Sequence, residues 1–394
     1  MKRFIIIFSV CFALFLRLFT PVRLYFSGGL ALSMFVPVIC LFFFGGLYKN
    51  KKFYAACLVA TIPLFLKSIG VGYFDGYLPN IISLLFAVSC MEYYIHKRDD
   101  VFAKYTLITV YCTIFFLAII STPILFAMPG LNRAVMTMTV QGVKPPLLAY
   151  FTIEYGNVHA VPVLVIPLFL LLKRLAGLRK AILIIVLCSL YVTTVLSNAS
   201  TPMFMLFMYL PILWLYNPKK SKSENFLKLG GIAILAFVVL GTGAIPAILR
   251  GIQPYLESTM QARRIDEVIY FLETGDTYGD IEERSDLYSS SWESFLSHPL
   301  TFEFDELKLG HHTFLLDHLA AMGIICFLPY AVLIINRFFR PYNNMRKSKA
   351  YFILSFSAFI LLACVKNFFV CISAMFIVPT FILYIENKIT KERI

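Results

Sequence analysis

Residues 105–128 read YTLITVYCTIFFLAIISTPILFAM, an apolar run without a single charged side chain. A helix needs roughly 20 such residues to cross about 30 Å of hydrocarbon. Backbone amides in lipid must be satisfied inside the segment, so the run predicts a transmembrane α-helix. The pattern repeats on both sides of it. Apolar runs occupy 4–19, 26–47, 53–69 and 78–95 before it, and 158–172, 181–197, 203–216, 229–249, 314–335, 351–365 and 368–384 after it. Of the 394 residues, 59% are hydrophobic and only 14% charged, with a mean hydropathy of +0.79. A soluble domain with that balance would expose far too much apolar surface. The expected fold is an all-α polytopic membrane protein with about 12 transmembrane helices, one integral domain over residues 1–394, with no internal repeat.

The net charge of +13 is a topology signal rather than a nucleic-acid footprint. Lys2/Arg3, Lys49/Lys51/Lys52, Lys97/Arg98/Lys104 and Lys173/Arg174/Arg179/Lys180 fall in alternate connections. So do Lys219/Lys220/Lys222/Lys228, Arg337/Arg340/Arg346/Lys347/Lys349 and Lys388/Lys391/Arg393, which together make up most of the 35 basic residues. The positive-inside rule then places both termini in the cytoplasm. All 9 cysteines lie within the apolar runs, so neither a disulfide nor a thiolate metal site is indicated. Lys2-Arg3 ahead of an apolar run resembles a signal peptide, but no small-residue cleavage site follows, and the run reads as a retained first helix.

One long polar stretch, 250–312, lies between the ninth and tenth runs and on the outer side of this topology. Over 250–311 it carries 13 acidic and 5 basic residues, the opposite balance to the rest of the chain. Within it, 261–274 places Ile265, Val268, Ile269 and Leu272 at helical spacing. Residues 285–297 begin with a Ser-Asp cap signal and set Leu287, Trp292, Phe295 and Leu296 on one broad face, ending at Pro299. These two amphipathic helices are expected to lie along the membrane surface. A second outer segment, 129–157, contains Arg133, Lys144-Pro145-Pro146, Tyr150 and Glu154-Tyr155-Gly156-Asn157, with His159 just beyond.

The outer residues suited to chemistry are few in kind. Arg133, Arg250, Arg263, Arg264 and Arg284 lie where positive charge is disfavoured, and guanidinium groups bind phosphates bidentately. The alternative for them is pairing with nearby carboxylates: Arg263/Arg264 precede Asp266/Glu267, and Arg284 follows Glu282-Glu283. His311-His312 stands at the mouth of the tenth run. There a histidine serves as a base, orients a hydroxyl or, protonated, contacts phosphate; equally it caps the helix that follows, with Thr313 and Asp317 in its first turn. Two adjacent histidines cannot both face one ion from a helix, so no metal site is expected. Of the ionisable residues in or near the runs, Lys67 is expected to snorkel outward and Glu92 to be structural, which leaves Asp317 as the functional candidate.

His312-Thr313-Phe314-Leu315-Leu316-Asp317, followed by Leu319-Ala320 and Gly323-Ile324-Ile325, resembles the motif that opens a late span in the superfamily of O-antigen polymerases and ligases. Upstream, Arg284, Tyr288, Trp292, Phe295 and His298-Pro299-Leu300 resemble the segment that precedes it, and Tyr155-Gly156 resembles a pair that opens a middle span. Thr301-Phe302-Glu303 replaces the usual Gly-rich turn, and the Arg-x10-Gly pattern of some polymerase loops is missing. The motif-bearing part runs from 284 to 325. The resemblance implies an inverting, metal-independent glycosyl transfer, without cofactor, on the outer face of the bacterial cytoplasmic membrane. Donor and acceptor would be oligosaccharide repeats on undecaprenyl pyrophosphate, assembled into O-antigen, capsule or exopolysaccharide, with a chain-length regulator and a flippase as possible partners. It implies catalytic roles for His312, Arg284 and Asp317 and substrate contacts for Arg133, Tyr155, Arg250, His311 and Tyr288. The alternatives are a ligase moving the finished glycan to another acceptor, and a transporter of polysaccharide or lipid-linked oligosaccharide.

Overall fold

A computed structural model describes residues 1–21, 29–70, 74–140, 143–216, 220–221, 223–225, 228, 231, 244–256, 260–276, 278–301, 313–346, 348–366 and 372–391. All regular elements among them are helical. They are α1 (Lys2–Leu18), α2 (Gly29–Phe43), α3 (Lys51–Gly70), α4 (Phe74–Lys97), α5 (Asp100–Ala127), α6 (Leu131–Val140), α7 (Tyr155–Val158) and α8 (Val161–Leu172). There follow α9 (Gly177–Leu196), α10 (Ser200–Leu215), α11 (Ala244–Ile252), α12 (Met260–Thr274), α13 (Asp280–Ser297), α14 (Phe314–Phe339), α15 (Lys349–Val365) and α16 (Ile372–Lys391). Every apolar run is helical through most of its length except 229–249, most of which lies outside the described residues. By length and hydropathy, Asp100–Ala127, Gly177–Leu196 and Phe314–Asn344 can each cross a membrane, and the bent pair Leu147–Val158 and Val161–Leu172 makes a fourth if it is one span.

The sequence of α8, VPVLVIPLFLLL, is apolar on every side, and such a helix belongs in an interior. It packs against α9, α10, α15 and α16, and all its residues except Leu171 are buried. On the outside, Phe4, Phe8, Phe12 and Phe15 form an exposed stripe along α1, with the first three rings stacked at 6.1 and 5.9 Å. Between helices the polar ties are few. Tyr111 donates to the Leu164 carbonyl at 3.0 Å, Thr122 meets Thr193 at 3.0 Å, and Tyr209 meets Ser357 at 2.7 Å. In lipid, where burying Leu gains little over leaving it among acyl chains, contacts of this kind contribute about 0.6–2 kcal/mol each.

At the end of the bundle where α1 begins and α14 ends, buried charge is paired. Glu92 is fully buried and accepts from Asn50 Nδ2 at 2.6 Å and from the guanidinium groups of Arg337 and Arg340. Arg337 also stands over the Phe53 ring at 4.7 Å. Nearby, Asp99 accepts from Arg3 Nε at 2.8 Å and caps α5 through the amides of Val101 and Phe102, both at 3.0 Å.

Three expectations need correction. Helix α13 begins at Asp280, capped by Gly279 at φ 65°, a turn before the Ser285-Asp286 signal. Its buried face is Ser291, Ser294 and Phe295, whereas Trp292 and Leu296 are 49% and 56% exposed. Ser291 turns inward because it hydrogen-bonds the buried Asp317 of α14, and Trp292 and Leu296 are left outside. So α13 packs along α14 as part of the bundle. Lys67, expected to snorkel outward, is only 2% exposed.

Helix α14 is broken at Gly323, whose φ of 63° and ψ of 169° are not helical. The break is filled by the chain leaving α13: the amides of Ile324 and Ile325 donate to the carbonyls of Pro299 and Leu300 at 2.9 and 3.0 Å. A Cβ at 323 would lie 2.5 Å from the Thr301 nitrogen, so this approach requires glycine.

Candidate functional site

The segment between α5 and α8 is pinned to the ends of α1, α5 and α9. The Gly130 amide donates to the Leu196 carbonyl at 2.9 Å, and Asn132 Nδ2 bridges the Ile153 carbonyl and Ser197 Oγ at 3.1 and 2.9 Å. The Ile153 amide donates to Ser121 Oγ at 2.6 Å, and the Glu154 amide to Thr20 Oγ1 at 3.1 Å. These bonds fix α6, which carries Arg133, and α7, which begins at Tyr155. The chain then bends by 83° into α8, with His159 at the corner.

His159 is 5% exposed. Its Nδ1 lies 2.9 Å from the Tyr155 carbonyl, which can only accept, so Nδ1 carries a proton. In the neutral ring Nε2 is then an acceptor, and it is buried without a hydrogen-bond partner among the described residues. The Tyr155 ring meets the imidazole edge-on at 4.9 Å and 78°, and the Arg133 guanidinium stands over the Tyr155 ring at 5.9 Å. Three cations, Lys366, Arg284 and Arg133, lie within electrostatic reach of the imidazole. They come from α15, α13 and α6, far apart in sequence.

Helix α14 holds two of those three segments in place. Asp317 is buried, and its carboxylate accepts from Ser291 Oγ at 2.6 Å and from the Thr313 amide at 2.9 Å. The first bond fastens α13 two turns beyond Arg284 on the same face, and the second closes the N-terminus of α14. The Phe314 amide donates to the Lys366 carbonyl at 3.1 Å, which sets the end of α15 against the same helix start. Asp317, expected to be catalytic, is thus tied to both α13 and the start of α14.

Of the residues selected from sequence, Tyr155 packs between Arg133 and His159, Arg284 is within electrostatic reach of His159, and the half-buried Tyr288 lies one turn from Arg284 on α13. Arg284 forms no hydrogen bond or ion pair with any described residue. Arg250 instead pairs with Glu273 of α12 at 2.6 Å, and Arg263 with Glu267 at 3.2 Å, the carboxylate pairing that was the alternative for these arginines. Arg264 donates to Ser200 at the start of α10. His311 and His312 lie outside the described residues. Two members of the cluster, His159 and Lys366, were not selected. His159 follows Tyr155 at the i, i+4 spacing of one helical face, and Lys366 is a lone cation between two apolar runs on the side depleted of positive charge.

Cations within electrostatic reach of a buried imidazole are the groups that would suit an anionic ligand beside a base-capable nitrogen. Guanidinium groups and an ammonium suit phosphate oxygens, and Tyr155 offers a flat apolar face beside them. Comparison with known protein families, characterised proteins and solved structures gives no match to this chain.

Proposed function

We propose that this protein is a polysaccharide polymerase of the bacterial cytoplasmic membrane, with about 12 spans, both termini in the cytoplasm and the His159 cluster facing the periplasm or cell exterior. It joins oligosaccharide repeats carried on undecaprenyl pyrophosphate. The observation that carries the proposal is the electrostatic reach of Arg133, Arg284 and Lys366 to His159, within a bundle of which three helices, or four with the bent pair, are long and apolar enough to cross a bilayer. The motif resemblance of residues 284–325 supplies the reaction class.

In that reaction the acceptor hydroxyl oxygen attacks the anomeric carbon of the donor sugar from the face opposite the pyrophosphate. A new C–O bond forms, the bond to the pyrophosphate oxygen breaks, and undecaprenyl pyrophosphate leaves with the electron pair. Charge grows on the departing group, and Arg284, Arg133 and Lys366 stabilise it electrostatically. The hydroxyl proton passes to a base, the role the resemblance gives to His312. Tyr155 and Tyr288 line the approach of the sugars, and Asp317 holds α13 in register. Positioning two lipid-anchored substrates in one membrane plane supplies much of the rate.

The nearest alternative is a ligase using the same donor and a different acceptor. A transporter is the second, favoured by the two interrupted helices, at the 83° bend and at Gly323, since discontinuous helices line substrate paths in transporters. The glycan ladder of a strain lacking the protein separates them. One repeat on the normal acceptor supports polymerisation. Long lipid-linked chains left unattached would mean a ligase, and a full ladder with retained cytoplasmic precursor a transporter.

A further inference from the structure

At the far end of α8 from His159, a helix of 12 residues and so roughly 18 Å away, lies a second cationic site of different construction. A cavity of about 790 Å³ opens between the end of α8, the start of α9 and the last turns of α16. Arg174, Arg179 and Lys388 line it, and Lys388 Nζ stands 5.9 Å from the ring centre of Tyr384, also in the lining. No Asp or Glu is among the lining residues. Its walls are apolar, with Leu171, Leu175 and Phe381 on one side, and Leu178, 76% exposed, at the mouth. The first turn of α9 adds free amide dipoles and has no acidic residue or side-chain cap to offset Arg179.

Cations and apolar walls lining one groove match one kind of ligand, a phosphodiester joined to acyl chains. A free phosphate would use the cations but leave the walls uncovered, and a zwitterionic headgroup would bring an ammonium against three positive charges. We propose that this groove binds an anionic phospholipid, with its phosphate among Arg174, Arg179 and Lys388 and its chains against Leu171, Leu175 and Leu178. Basic pockets between helices at a membrane boundary hold acidic headgroups in this way. The proposal rests on the bilayer part of the reading above and is independent of glycosyl transfer, which is read separately from the glycan ladder.

The test uses the full-length protein in neutral detergent, with phosphatidylglycerol or phosphatidylethanolamine added and adducts counted by native mass spectrometry. Phosphatidylglycerol should be retained in clear preference to phosphatidylethanolamine. Each charge removed in Arg174→Gln, Arg179→Gln and Lys388→Gln should weaken retention about fivefold. Lys51→Gln/Lys104→Gln/Lys220→Gln, which removes equal charge elsewhere, should leave it unchanged. Equal retention of the two lipids would overturn the proposal, as would equal losses in the two triple variants. Displacement of the lipid by millimolar inorganic phosphate would overturn it in favour of a simple anion site. If the triple groove variant does not fold, Lys388→Gln alone, an exposed change, decides the matter: undiminished retention would overturn the assignment.

Discussion

The two charge clusters of this bundle are built in opposite ways. At the Glu92 end, one buried carboxylate is surrounded by Asn50, Arg337 and Arg340, so a buried negative charge is answered by positive ones. At the His159 end, three cations from separate chain segments each act electrostatically on one buried ring. The first arrangement stabilises itself. The second depends on the bonds through Asn132, Ser291 and Asp317 that hold the separate segments in place. A paired buried charge explains a fold, whereas cations brought from separate segments to one base-capable ring suit a phosphate-bearing ligand.

The contrast can be broken at either end. Glu92→Gln should give the largest effect, because Arg337, 11% exposed at its side chain, would lose its carboxylate. Removing one partner of a buried pair costs about 3–5 kcal/mol. Thermal unfolding in detergent should show it, and an unchanged midpoint would place Glu92 outside the structural core. Arg284→Ala should do the reverse, lowering polymerisation by about 10²–10³-fold while leaving the melting temperature unchanged. Normal glycan chain lengths in that variant would remove Arg284 from the site.

Gly323→Ala tests the α14 break that supports the His159 end. A Cβ there meets the backbone of Leu300 and Thr301 at a φ of 63°, a strain worth about 1–3 kcal/mol. Hydrogen exchange at Ile324 and Ile325 should rise, because their amides would lose Pro299 and Leu300; unchanged protection would show that the break accommodates a side chain. The smallest effect belongs to Asp99. Partial burial works to raise its carboxyl, but the Arg3 guanidinium and the amides of Phe102 and Val101 outweigh it and hold the group below its usual range. A depressed carboxyl stabilises the fold above the ordinary aspartate value of about 3.9, and the contribution is lost as pH falls through the lower folded value. Exposed on the Arg3 side, the pair is worth at most about 1 kcal/mol. Asp99→Asn should therefore flatten the acid limb of the stability curve slightly and change nothing at neutral pH beyond that margin.

Most of the helical framework is legible in the sequence, because apolar runs have no other stable form in lipid and α8 announces its central place by being apolar on every side. The face of α13 is not legible by the same logic. Trp292 and Leu296 suggest a buried stripe, yet Ser291 and Ser294 face the protein, because Ser291 bonds the Asp317 carboxylate of α14, a partner that no local pattern contains. The cationic cluster is half legible. Arg133 and Arg284 stand out because they lie on the side poor in positive charge, and Lys366 obeys the same rule but is hidden by the apolar runs on either side. That Arg250 pairs with Glu273 while Arg284 reaches His159 depends on which helices meet, and no local pattern contains that.

The interrupted helix α14 also has a meaning for biosynthesis. Ile324 and Ile325 would enter the membrane with two amides unsatisfied, yet the carbonyls that receive them, at Pro299 and Leu300, are synthesised first. The stretches 280–301 and 313–339 therefore depend on each other, the earlier one holding the carbonyls that close the later one. A translocation machinery that releases helices singly would have to hold these together until the two amides are closed.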